Sequence, residues 1–236
     1  MKRVAILQSS YIPWKGYFDL MGQVDEFILY DDAQFTKRDW RNRNQIKTKD
    51  GVLWLTIPVH VKGLFTQAIK DVEISDASWG DKHFKTIAAA YARAPYFREY
   101  RDMLEELYRG SRSLRLSEAN RRFIDAFAGL LGIRTKVSWS MDYVLPEGRV
   151  ERLVALCQQA GATAYLSGPA AKDYIDPALF ADAGIDLSYM DYGGYPEYPQ
   201  LYPPVTHHVS VIDLIFSVGS AAPEYLERAG KPAVTS

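Results

Sequence analysis

Apolar residues follow two spacings along this chain, and the changes from one to the other predict its elements. Val4 to Leu7 is an unbroken apolar run, which suits a strand buried on both faces. A turn with Pro13 and Gly16 follows, then a short helix over Tyr17 to Met21. A second buried strand runs from Phe27 to Tyr30 and closes on Asp31-Asp32. Strand, helix and strand in so short a stretch form a compact βαβ unit. Gln45 to Thr48 and Leu53 to Val59 read as paired strands around Lys49-Asp50-Gly51, because Asp-Gly favours a hairpin.

The middle of the chain takes three- and four-residue spacing. It predicts helices over His83 to Arg93, Tyr96 to Tyr108 and Glu118 to Leu131. Pro95 separates the first two. Ser117 is placed to cap the third and Gly132 to close it. Alternation then returns. Val137 to Trp139 is a strand, Val150 to Ala160 a helix ended by Gly161, and Ala164 to Leu166 a strand that delivers Ser167-Gly168-Pro169. Leu187 to Met190 is a further strand. Tyr192 to Pro204, rich in Pro, Gly and Tyr, is a loop, and Val211 to Val218 and Pro223 to Ala229 are closing helices. The expected fold is α/β: a layered, mainly parallel sheet with flanking helices in a single domain over residues 1–236. Residues 80–132 would be a helical insert or cap in the middle of the chain.

The 236 residues are enough for a substantial core. With 28 basic and 29 acidic residues the net charge is −1, so no global field attracts nucleic acid or an acidic membrane. Any anion must therefore meet a local patch. The single cysteine, Cys157, excludes an intrachain disulfide and a cysteine zinc site, and its helix LVALCQQAG marks it as a buried structural thiol. MKRVAILQSS leads straight into a strand without a long apolar h-region, and no apolar run reaches the ~18 residues of a spanning helix. A cytoplasmic protein without membrane insertion is expected. GxSxG, Walker A and GxGxxG are absent, which removes support for a hydrolase elbow, P-loop chemistry or an ordinary Rossmann site.

The local patch lies between Gln8 and Lys47, where Trp14 and Trp40 sit among Lys15, Lys37, Arg38, Arg41 and Arg43. A loop at the end of a buried strand is where α/β proteins build sites for anionic ligands. Ser9 to Tyr17 combines a strand end, a Gly turn and a helix start, with Lys15 for charge, Trp14 or Tyr17 for a stacking face, and Tyr11 as a further substrate-binding candidate. The plainer reading is a tight turn whose aromatics pack under neighbouring loops. Asp31 and Asp32 point to opposite sides of a strand, so at most one faces a site. Asp32 suits a general base or an acceptor for sugar hydroxyls, and Lys37 is a second catalytic candidate. Arg38, Arg41 and Arg43 fit phosphate or carboxylate, while Asn42 and Asn44 fit hydroxyls and amides. A mutually neutralising salt-bridge network would also explain this loop.

Two further segments join them. Ser167 and Gly168 end a strand at the same sheet edge, and Gln8 ends the first strand. His207-His208 lacks the partners of a metal site, and His208 is the third catalytic candidate or a helix-start residue beside Ser210. No metal and no cofactor are expected.

With those residues laid out, the chain resembles the WbqC-like family of bacteria and archaea. The likeness runs through Gln8, Tyr11 to Phe18, Asp31 to Phe35, Trp40 to Asn44, Tyr165 to Pro169, Lys172 to Tyr174, Tyr198 to Gln200 and Ser210 to Leu214. The family pattern would place an Asn before the Ser of Ser-Val-Ile-Asp and another near Phe216. This chain has His208, Val209 and Ser217 there. The resemblance implies surface-polysaccharide or O-antigen gene clusters, where nucleotide-linked amino sugars are decorated. It suits a transferase of acyl or aminoacyl groups, with an anionic small-molecule substrate and a carrier protein or aminoacyl-tRNA as donor. A second reading comes from Trp14-Lys15-Gly16-Tyr17, which stands where HxGH occurs in adenylate-forming nucleotidyltransferases and ligases, with both histidines replaced. A non-catalytic binder of small anions is the third.

Overall fold

The computed structural model describes residues 1–111 and 115–226, and the backbone of Val234 and Thr235. Its centre is a parallel sheet in the order β5-β2-β1-β6-β7: Lys136–Trp139, Glu26–Leu29, Arg3–Leu7, Ala164–Ser167 and Asp186–Met190. The short β8, Val234–Thr235, lies antiparallel to β7, and β3 (Arg43–Thr48) and β4 (Gly51–Thr56) pair antiparallel with each other outside this sheet. The predicted βαβ unit is present. Its helix, α1 (Lys15–Gly22), connects β1 to β2, which pair from Val4↔Glu26 to Leu7↔Leu29.

Alternate residues of these strands feed two cores, as a period of two requires. Val4, Ile6, Ile28 and Tyr165 join Leu156 and Cys157 of α5 (Arg149–Gln159) and Phe180 of α6 (Pro177–Asp182). Ala5, Phe27, Leu29 and Leu166 join the opposite layer. That layer holds α1, α2 (Trp79–Tyr91), α3 (Phe97–Gly110), α4 (Leu116–Leu130) and α7 (Val211–Val218). The three middle helices thus share one continuous core with the sheet. Trp79 and Phe123 pack on the Tyr11 ring, and Trp79, Tyr108 and Phe123 on one another, with ring centroids 4.8–6.3 Å apart.

Some local expectations change. The hairpin turn is the two-residue Lys49-Asp50, with Gly51 at φ 111° opening β4, so β4 starts before Leu53 and stops at Thr56. Ser117 does not cap α4. Its hydroxyl donates to buried Asp31, and Arg115 stands at the cap position. Gly132, at φ 70°, and Gly161, at φ 67°, follow their helices in the left-handed conformation that favours glycine. Gly219 to Tyr225 is a 3-10 turn in place of the start of the last predicted helix; residues 227–229 lie outside the described residues. Cys157 is buried, and burial pushes its thiol up to about 12.

Candidate functional site

In this strand order the chain leaves β1 toward β2 on one side and returns to β6 on the other. The crevice outside the carboxyl ends of β1 and β6 is therefore the topological switch point, where open α/β sheets bind ligands. Two hollows meet there and share Leu7 at the end of β1.

The smaller hollow, about 290 Å³, is lined by Trp14, Tyr17, Trp40, Arg41, Asn44 and His208. Its wall is an aromatic stack. Tyr192 meets the Trp14 ring edge-on at 5.1 Å, and the exposed imidazole of His208 lies nearly parallel to it at 6.2 Å. The turn before α1 depends on Gly16, since a Cβ there would lie 2.3 Å from the Trp14 ring. Asn44 shapes the floor, donating to the carbonyls of Tyr11 and Ile12 at 3.0 and 2.9 Å. Ser210, not His208, caps α7 by accepting from the Ile212 amide at 3.3 Å.

The larger hollow, about 950 Å³, lies between the ends of β1, β2 and β6. Gln8, Asp32, Ser167 and Gly168 line it, together with Arg149 and Arg152 of α5. Gly168 has φ −72°, and a Cβ there would meet nothing within 4 Å, so the backbone is bare to the open crevice. Asp32 is fixed by Lys70 at 2.5 Å and by the Ser140 hydroxyl at 2.7 Å. Its neighbour Asp31 is sealed inside, accepting from the Ser9 amide and from Ser117. Burial raises the Asp31 carboxyl above its ordinary range, against the lowering effect of those hydrogen bonds and of Arg41. Gln8 and Arg41 form the partition between the hollows, with Arg41 Nη1 donating to Gln8 Oε1 at 3.0 Å. Arg41 Nε is a buried donor without a partner.

The remaining predicted residues stand elsewhere. Tyr11 is fully buried, its hydroxyl held by His83 Nδ1 at 2.8 Å and Tyr108 at 2.5 Å, so its ring offers no face to a ligand. Lys15 turns inward. It donates to the carbonyls of Pro196 at 3.3 Å and Tyr225 at 3.1 Å and sits over the Tyr195 ring at 4.6 Å. Burial lowers its ammonium to about 8, against a raising influence from Asp19. Asn42 is buried and donates to the Ile57 carbonyl at 2.8 Å. Lys37, Arg38 and Arg43 line a separate hollow beside β4, with Lys37 5.4 Å from Phe65 and Arg43 4.0 Å from Trp54. Arg38 takes a left-handed backbone conformation, φ 60°, in the turn between β2 and β3. Of the five cations in the block, Arg41 alone faces either hollow of the crevice. Arg149 and Arg152 were not expected; the available signal was their i, i+3 spacing directly after Gly148. Among the described residues no group of three or more His, Cys, Asp or Glu is placed to hold a metal ion, and no helix is long and apolar enough to cross a membrane.

An α/β protein with a divided crevice at its switch point is the class these features define. The chain belongs to the WbqC-like protein family, whose model matches residues 8–225. It is 49% identical over 226 residues to the uncharacterized protein Rv1507c of Mycobacterium tuberculosis, covering 96% of this chain and 98% of that protein. No solved structure matches it significantly.

Proposed function

We propose that this chain is a transferase that places an acyl or aminoacyl group on the amine of a nucleotide-linked sugar, in surface-polysaccharide, O-antigen or related glycan biosynthesis. The observation that carries the reading is the pair of unlike hollows meeting at Leu7: a small ring-lined one and a large polar one. A transferase must bring two substrates together, and the Gln8–Arg41 pair divides the space between them. In this reading the larger hollow takes the nucleotide-linked amino sugar, with Asp32 and Ser167 toward its polar groups. The smaller one takes the acyl end of the donor against Trp14. The sugar nitrogen attacks the acyl carbonyl, and the carrier thiol or tRNA hydroxyl leaves with its electron pair. His208, on the rim beside Trp14, accepts the proton that the amine loses. Lys37, in its separate hollow, has no part in this step.

The test is incubation of the chain with nucleotide-linked amino sugars and either acyl thioesters or aminoacyl-tRNA, with product masses read by mass spectrometry. An N-acylated sugar supports the reading. Pyrophosphate release from ATP in place of acyl transfer refutes it in favour of a ligase. Thermal stabilisation by the sugar nucleotide without any turnover refutes it in favour of a binding protein.

A further inference from the structure

We propose that Arg149 and Arg152 are the cations that grip a diphosphate in the larger hollow. The assignment rests on the proposed function for the rest of the ligand, but not for the anion itself. The two residues stand at i and i+3 on the first turn of α5, hence on one face. They are the cations lining the larger hollow, and the carboxylate that lines it, Asp32, is already met by Lys70 and Ser140. The lining therefore keeps two positive charges unanswered by any carboxylate it contains.

The posture of each arginine suits the task. The Arg149 guanidinium lies on the Tyr174 ring, with Cζ 3.5 Å from its centroid. Stacking occupies the face of the plane and leaves the N–H edge for hydrogen bonds. Arg152 uses Nε to reach the Pro146 carbonyl at 2.9 Å, which anchors the side chain and leaves its two terminal nitrogens. No ion pair joins either residue to a carboxylate among the described residues. Across the hollow, Gly168 leaves open space. A fork of guanidinium donors facing an open hollow matches the oxygens of a phosphate chain, which arginine binds bidentately. The cations of the Gln8–Lys47 block do not substitute for them. Lys15 is turned inward, Arg41 lies across the partition, and Lys37, Arg38 and Arg43 face another hollow.

The experiment is isothermal titration of the whole chain with inorganic pyrophosphate. The parent should bind. Arg149→Gln and Arg152→Gln should each weaken binding roughly tenfold or more, as loss of a charge-assisted contact predicts. The double variant should bind none, Arg152→Lys should keep part of the affinity, and Lys37→Gln with Arg38→Gln should change nothing. Melting curves check that every variant is folded. A parent that does not bind pyrophosphate, a double variant that binds as well as the parent, or an equal loss in the Lys37/Arg38 control overturns the proposal. If pyrophosphate binds through these arginines while no acyl group is ever transferred, this inference stands and the transferase reading falls. If sugars are acylated but pyrophosphate binds equally in all variants, the reverse holds.

Discussion

Lys15 was expected to meet a ligand, and its inward position makes a specific demand on stability. The residue is almost wholly buried, and its ammonium reaches two carbonyls and the Tyr195 and Tyr198 rings. Burial lowers its pKa from 10.5 to about 8. Between these values the unfolded chain holds the proton and the folded chain does not, so stability must rise with pH through that window. Below pH 8 the buried charge weighs against folding by about 3 kcal/mol, and between pH 7.5 and 9.5 about 2 kcal/mol of that is relieved. For a chain of this length that corresponds to roughly 4–8 °C in Tm. Lys15→Met keeps most of the volume and cannot titrate. It leaves the Pro196 and Tyr225 carbonyls without this donor at either pH, so that cost cancels in the comparison. Urea unfolding of parent and variant at pH 7.5 and 9.5 gives the double difference, in which the titrations of all other groups also cancel. The parent should gain about 2 kcal/mol more than the variant over this interval. Equal pH responses in the two proteins would show that Lys15 is not a buried charge.

Glu26 gives the opposite sign. Burial alone would raise it, but hydrogen bonds from Lys2, Tyr143, Ser138 and Lys136 bring it to about 2. Its contribution is present above pH 4.5 and is lost as pH falls toward 2, so Glu26→Gln should lose less stability than the parent between urea melts at pH 6 and pH 3. Tyr11→Phe should cost about 1–3 kcal/mol, because His83 and Tyr108 lose a buried partner, yet leave pyrophosphate affinity unchanged by titration calorimetry. Gly16→Ala should destabilise by about 1–3 kcal/mol and shift tryptophan fluorescence, because the added methyl displaces the Trp14 ring. Gly168→Val should leave Tm nearly unchanged, since φ −72° suits any residue, while its side chain narrows the larger hollow and weakens pyrophosphate binding.

The sheet was readable because β1 and β2 are buried on both faces, which writes them as unbroken apolar runs. The helical middle was readable by its spacing, although only the folded chain reveals that Trp79, Tyr108 and Phe123 close over Tyr11. Of the residues singled out in the sequence, Gln8, Asp32, Ser167 and Gly168 line the crevice from at or just beyond strand ends, and Trp14 and Arg41 line it from loops. What sequence proximity does not carry is direction. Lys15 follows Trp14, yet one points into the core and the other lines the smaller hollow, because Trp14 is the extended residue before α1 and Lys15 is the first residue of the helix, so their side chains leave the backbone in different directions. Lys37 to Arg43 looked like one cationic patch, but Lys37, Arg38 and Arg43 line one hollow and Arg41 lines another. Arg149 and Arg152 come to the same crevice from over a hundred residues later, through the pairing of β6 with β1.

That pairing also governs how the molecule can be made. β1 is the central strand, and its second neighbour, β6, lies some 160 positions further on, where Arg3 meets Ala164. A nascent chain leaving the ribosome can dock β2 beside β1 early, but the other margin of β1 stays unpaired until most of the polypeptide has been translated. Such an open margin is a template for wrong partners, and contacts this distant in sequence form slowly. Assembly in the cell is thus timed by the last third of the message, and a transcript cut short before Ala164 would yield a sheet with an adhesive flank.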